Sequence, residues 1–175
     1  MNTAFQVEID KLAAEGRIGN MNVYAQTLKC LEKFAGTNIS FDSITEDWLK
    51  RYEKHLLDEG RKRTTISIRL RTLKIIMSIS QKNGDIKEGE NPFGDDSFVL
   101  KKAVGRKKSL TIEQIGQIAR FDHGNTVTSK YRDYWLFLYF CNGINVADFI
   151  TLKYKNITND EIYFVRQKTE NTINE

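Results

Sequence analysis

Apolar residues recur along most of this chain at the three- and four-residue spacing of amphipathic helices, broken by glycines, and change to a strand-like run only near the end. Residues 3–16 place Phe5, Ile9 and Leu12 on one face of a short helix that stops at Gly16. From about Met21 to Phe34 the apolar positions Tyr24, Leu28, Leu31 and Phe34 continue the same periodicity, and Gly36 closes the helix. Ile39 and Phe41 are expected to anchor the turn-rich Thr37–Ser43 to a core. Thr45 caps a third helix, from about Glu46 to Leu57, whose acidic first turn suits the helix dipole and which Gly60 ends. A fourth helix is predicted over Arg63–Lys82. Its residues Ile66, Leu70, Leu73 and Met77 make one apolar stripe, and Ile68, Ile75 and Ile79 make a second nearly opposite, so it is expected to pack between neighbours.

Asn83–Leu110 breaks the pattern with Pro92, the sole proline, and with Gly84, Gly89, Gly94 and Gly105, as an interdomain linker does. Thr111 and Gln114 have the spacing of a capping box for a helix reaching about Arg120. A polar loop is expected over Phe121–Ser129, then an apolar helix over Tyr131–Cys141 with Trp135, Leu136, Phe137, Leu138, Tyr139 and Phe140 in a core. In Gly143–Thr169, Asn145 and Asp148 stand at the N-cap and N3 positions of a short helix carrying Val146, Phe149, Ile150 and Leu152. Tyr154–Ile157 and Glu161–Arg166 are predicted strands about an Asn159-Asp160 turn, delivering Lys168 to the far end of the hairpin. The fold class expected is mainly α: a four-helix bundle at 1–84, a linker at 85–109, and a partial α+β body at 110–175 with a β-hairpin.

Charge sharpens this picture. Across the 175 residues the net charge is +4, yet residues 61–120 alone hold 14 Lys and Arg against 6 Asp and Glu, while the segments on either side are slightly acidic. Such concentration is the electrostatic footprint of a polyanion partner. Arg63, Ser67, Arg71, Lys74 and Ser78 form a polar wedge on the fourth helix, and no acid occurs from Arg61 to Lys82. An ordinary solvated helix face mixes both signs, whereas cations and small hydroxyls in line suit a run of phosphates. Lys101, Lys102, Arg106, Lys107 and Lys108 add a second acid-free basic run, a strap along a nucleic-acid backbone. A nucleic acid is therefore the expected partner.

The same features narrow the alternatives. No apolar run approaches the ~18 residues of a membrane span, and the first residues lack a signal-peptide pattern. The two cysteines, Cys30 and Cys141, show no metal or redox spacing, so a reducing, cytoplasmic setting is expected. No Gly-rich phosphate loop, metal-ligand cluster or Ser/His/Asp constellation is present, and neither a metal, another cofactor nor a small-molecule substrate is expected.

Gly143-Ile144-Asn145-Val146-Ala147-Asp148-Phe149, followed by a hairpin with Gln167-Lys168-Thr169, resembles the start of the catalytic domain of tyrosine recombinases, the phage-integrase family. Thr64-Thr65-Ile66 through Arg71-Thr72-Leu73 resembles the signature helix of that family's N-terminal core-binding (SAM-like) domain, a four-helix bundle that lays helices into the DNA groove. The resemblance implies a site-specific integrase of a mobile element, which cuts and rejoins DNA through a 3′-phosphotyrosine intermediate and assembles with further protomers on DNA. It implies Lys168 as the hairpin acid or transition-state cation and Asp148 as the supporting acid of the helix. It places Asn145 where the family has its first catalytic arginine. Together with the polar wedge it makes Arg63, Thr65, Ser67, Arg71 and Lys74 the expected contacts to double-stranded DNA, Arg71 and Lys74 before the others, with the basic linker closing a clamp.

The family's His-x-x-Arg motif and nucleophilic tyrosine have no counterpart here: His55 leads His-Leu-Leu-Asp and His123 leads His-Gly-Asn-Thr. The expectation is thus a recombinase fragment that binds DNA without recombining it. A non-catalytic helical DNA-binding protein, either a regulator or a decayed recombinase, is the alternative. A helical protein-interaction module with an incidental basic strip is the third.

Overall fold

A computed structural model of the chain describes residues 1–93, 98–99, 109–122, 124–159 and 161–166. The chain divides into two units, Met1–Arg106 and Lys107–Glu175. The first is a bundle of α1 (Asn2–Ala14), α2 (Ile18–Ala35), α3 (Glu46–Asp58) and α4 (Arg63–Lys82), with a single 3-10 turn at Phe41–Ser43 before α3. The Arg63–Lys82 helix has the bounds its periodicity predicts. Gly60 before it and Gly84 after it both have left-handed backbone, with φ of 74° and 85°, where a side chain is strained. Thr45 caps α3 by accepting from the Trp48 backbone N–H.

The bundle core is built from the faces that the pattern marks. Phe5, Leu31, Trp48, Leu49, Tyr52, Leu56, Ile66, Leu70, Leu73, Ile76 and Met77 form one buried cluster. Phe34 sits among Trp48, Tyr52 and His55, with ring centroids 5.1–5.2 Å away. The Met1 amino group donates to the Ile39 carbonyl at 3.1 Å, which ties the start of α1 to the loop before α3. The segment expected as linker is held to this bundle at its start: Ile86 and Phe93 are buried in the same cluster, and Asn91 bonds the Gln81 side chain at 2.9 Å.

Leu73 is fully enclosed in this core. Leu73→Ala leaves a cavity as well as losing transfer free energy, so about 2–5 kcal/mol of unfolding free energy should disappear. That is a large part of a typical domain's stability. Urea unfolding followed by circular dichroism measures it as a lower midpoint with an unchanged slope.

The second unit contains α5 (Ile112–Arg120), α6 (Thr126–Phe140), α7 (Val146–Ile150), a 3-10 turn at Tyr154–Asn156, and strands β1 (Ile157–Thr158) and β2 (Glu161–Ile162). The Thr111/Gln114 capping box is present in both directions. The strands pair antiparallel, Ile157 with Ile162 and Thr158 with Glu161, about Asn159 at φ 50°.

The strand expected over Glu161–Arg166 ends at Ile162, and three further details of this unit differ from the periodicity reading. First, α6 starts at Thr126, inside the expected polar loop, because Asn125 accepts the Val127 N–H at 2.9 Å and caps it. Second, Tyr154–Asn156 is a 3-10 turn and no strand. The Asn156 side chain accepts from the Lys153 N–H and donates to the Tyr163 carbonyl, both at 2.9 Å, so side-chain bonds replace ladder bonds. Third, the aromatic residues of α6 are not a buried core: Trp135, Leu136, Phe137 and Leu138 are half-buried, and Tyr139 and Phe140 are exposed. Phe149 of α7 packs between Tyr134 and Phe137, and Ile144 is the buried apolar residue of this unit among those described.

Candidate nucleic-acid interface

The 20 residues of α4 separate their side chains by a 100° turn per residue. Ile66, Leu70, Leu73, Ile76 and Met77 point into the bundle, and the opposite side carries Ile68, Arg71, Lys74, Ile75 and Lys82, all exposed. The second isoleucine stripe therefore faces outward: Ile68 is 47% and Ile75 45% exposed, with Ile79 half-buried. The expectation that α4 is enclosed on both sides is not met among the described residues, because the other helices of the bundle cover one side only. Arg71, Lys74, Ile75, Ser78, Ile79 and Lys82 line an open depression of about 390 Å³ along this face.

Arg71, Lys74 and Lys82 have no carboxylate within ion-pairing distance among the described residues. Ion pairs of the bundle lie on or beside other helices or at the first residue of α4: Lys33 and Arg61 on Glu59, Lys50 on Glu46, Lys11 on Glu8, and Arg63 on Glu53. Cations left without an intramolecular partner on an acid-free helix face keep their full attraction for an external anion. Ser78 spends its hydroxyl on the Lys74 carbonyl at 2.9 Å.

Other residues predicted for this face are placed differently. The Arg63 guanidinium is already paired with Glu53 of α3. Thr65 is half-buried, and Ser67 is buried, its hydroxyl lacking a hydrogen-bond partner among the described residues. The wedge thus narrows to Arg71 and Lys74, extended by Lys82. Lys101, Lys102, Arg106, Lys107 and Lys108 lie outside the described residues, as does Lys168.

One cation of α4 was not singled out by its sequence. Arg69 is buried, and its Nη1 donates to the Gln26 carbonyl of α2 at 3.2 Å. Burial pushes the Tyr52 phenol of α3 well above the ordinary tyrosine range, and the Arg69 guanidinium beside it opposes that shift. Its place three after Ile66 and four before Leu73, on the inward stripe, was the available signal.

In the second unit, Asn145 and Asp148 stand together on the first turn of α7. Asn145 Oδ1 accepts the Ala147 N–H at 3.1 Å, the N-cap role expected of it, and Asp148 is buried. Thr151 Oγ1 donates to the Asp148 carbonyl at 2.8 Å and closes the short helix. Tyr163, on the strand side of the hairpin, is exposed, and its hydroxyl donates to Glu161.

Among the described residues no helix is long and apolar enough to cross a membrane. The family model described as the phage integrase SAM-like domain matches residues 1–96. No curated protein and no solved structure matches the chain.

Proposed function

The chain belongs to the phage integrase SAM-like domain family, the N-terminal domain type of tyrosine recombinases, and from that membership we propose that it binds duplex DNA through the outer face of α4 as part of a site-specific recombinase. The observation that carries this reading is the set of exposed cations Arg71, Lys74 and Lys82, which have no carboxylate partner among the described residues. Ammonium and guanidinium groups on one helix side neutralise phosphates along a groove edge, and the basic run from Lys101 to Lys108 adds further contacts. The domains in this reading are residues 1–84 as the DNA-binding bundle, 85–109 as the basic connection and 110–175 as the beginning of the catalytic domain.

Strand cleavage in this proposal proceeds by attack of a tyrosine on a DNA phosphate, giving a 3′-phosphotyrosine and a free 5′-hydroxyl, without metal or cofactor. Cations stabilise the charge on the non-bridging oxygens, and an acid protonates the leaving 5′-oxygen. Lys168 supplies that acid or a transition-state cation. Asp148, buried at the start of α7, supports its neighbours electrostatically. Asn145 retains amide donors for a phosphate oxygen, although a charge-assisted bond is about twice as strong. The His-x-x-Arg motif and nucleophile are not among these 175 residues, so they alone bind DNA without cutting it. Further protomers assemble with it on DNA.

Asn145 also favours a second reading, a DNA-binding regulator or decayed recombinase: its side chain caps α7 and brings no charge to a phosphate.

DNA affinity against salt tests both readings against a protein-interaction module. Five to six phosphate contacts give a slope near −5 on a log–log plot, or roughly a thousandfold loss between ~50 and ~200 mM salt. Fluorescence anisotropy of a labelled random duplex measures it. A flat response leaves only the interaction module.

A further inference from the structure

From the exposed isoleucines beside the α4 cations, we infer that Ile68 and Ile75 read thymine C5-methyl groups in the major groove and give this face its sequence preference. The inference rests on the proposed DNA binding and adds to it, because phosphate contacts position a protein but carry no base information directly.

Three observations lead to it. Ile68 and Ile75 are each close to half exposed, although a bundle with a full core has no packing use for them there. At 100° per residue, Ile68, Ile75 and Ile79 fall within about 40° of one another, and Arg71 and Lys82 lie about 40–60° to one side. The face is thus an apolar rail with a cationic rail alongside, and the depression along it has room for groups that stand out from a surface. A duplex offers the matching arrangement. Its phosphates rim the major groove, and on the groove floor the thymine methyl is the apolar feature of the base edges.

Arg71 and Lys82 on one rim would bring the isoleucines down to base-edge level. Ile68 and Ile75 are seven residues apart, about 10 Å along the helix axis. With 3.4 Å between base pairs on a strand, a helix laid along the groove presents them to positions about three base-pair steps apart. An acidic amphipathic partner protein also fits both rails. The family membership and the exclusion of acids over the whole of α4 favour DNA, and the partner protein becomes an outcome of the test.

The test uses the full 175-residue chain. Duplexes enriched from a random pool by the chain are prepared with thymidine and again with 2′-deoxyuridine, which differ only by the methyl. Burying one methyl is worth about fourfold in affinity, so uridine duplexes should bind about 4-fold weaker for one contacted thymine and about 15-fold weaker for two. Ile75→Ala should lose a similar factor on thymidine DNA and show a smaller further loss on uridine DNA, because methyl and isoleucine act as a pair. Since Ile75 is outside the core, circular dichroism should show the variant folded.

Equal binding of the two duplexes by the native chain overturns the inference without recourse to any variant. So does failure of the pool to enrich any sequence, or an unchanged thymidine-to-uridine ratio in Ile75→Ala. In those cases a steep salt dependence would leave the DNA reading standing. Absence of salt-dependent DNA binding removes both and points to a protein partner on this face.

Discussion

Reversing two charges on α4, Arg71→Glu with Lys74→Glu, is expected to lower affinity for every duplex by about 100-fold at ~100 mM salt. Each phosphate contact contributes about 0.9 to the salt slope, which near 0.1 M amounts to roughly an eightfold gain per contact. Losing two contacts costs about 60-fold, and the new carboxylates facing phosphates add repulsion. The slope should also fall by about two, for instance from near −5 to near −3. Because neither residue is buried or paired with a carboxylate among those described, the variant should keep its unfolding midpoint. Lys11→Glu with Lys50→Glu makes the same change in net charge at lysines beside Glu8 and Glu46, on other helices. At the same ~100 mM salt, screening over about 10 Å confines its effect to a few-fold. Equal losses in the two variants would mean that overall charge and not the α4 face attracts DNA.

The α4 face also shows what periodicity can and cannot deliver. The bounds Arg63–Lys82 are legible because no glycine, proline or acid interrupts the run and glycines stand on either side. The inward stripe is legible because apolar burial repeats with the helix turn. What lies opposite that stripe depends on neighbours, and periodicity holds no information about which side they occupy. Ile68 and Ile75 were therefore expected to be enclosed and are exposed. Arg69 escapes the apolar pattern for the converse reason: a long stem lets a cation lie in the inward stripe while its head reaches the Gln26 carbonyl.

Side-chain to backbone bonds account for the differences in the second unit. Asn125 redirects the chain through one side-chain hydrogen bond and Asn156 through two, and neither effect changes the apolar pattern. The Thr111 capping box was legible because both partners belong to a fixed sequence spacing. Of the candidate site, the α4 cations and the Asn145 cap follow from local sequence. The Arg63–Glu53 pair does not, since it depends on how α3 and α4 pack.

The second large effect concerns how the chain divides. Residues 1–106 alone are expected to unfold in one cooperative urea transition, and residues 107–175 alone to show none. Ordering backbone costs about 1–2 kcal/mol per residue, which apolar burial has to offset. Among the described residues, the buried apolar side chains lie in the bundle apart from Ile144. In the second unit Ile112, Phe140 and Ile150 remain more than two-thirds exposed, and the aromatic helix α6 has no buried residue. Its two-residue strands add little, because an isolated hairpin is marginal in water. Far-ultraviolet circular dichroism and urea titration of the two pieces make the comparison. A cooperative transition in 107–175 would show that this unit is stable with its apolar faces uncovered. A broad, non-cooperative response would mean that α7, which positions Asn145 and Asp148, acquires its rigidity only when another layer covers α6. The proposed catalytic roles of those two residues would then depend on that layer being in place.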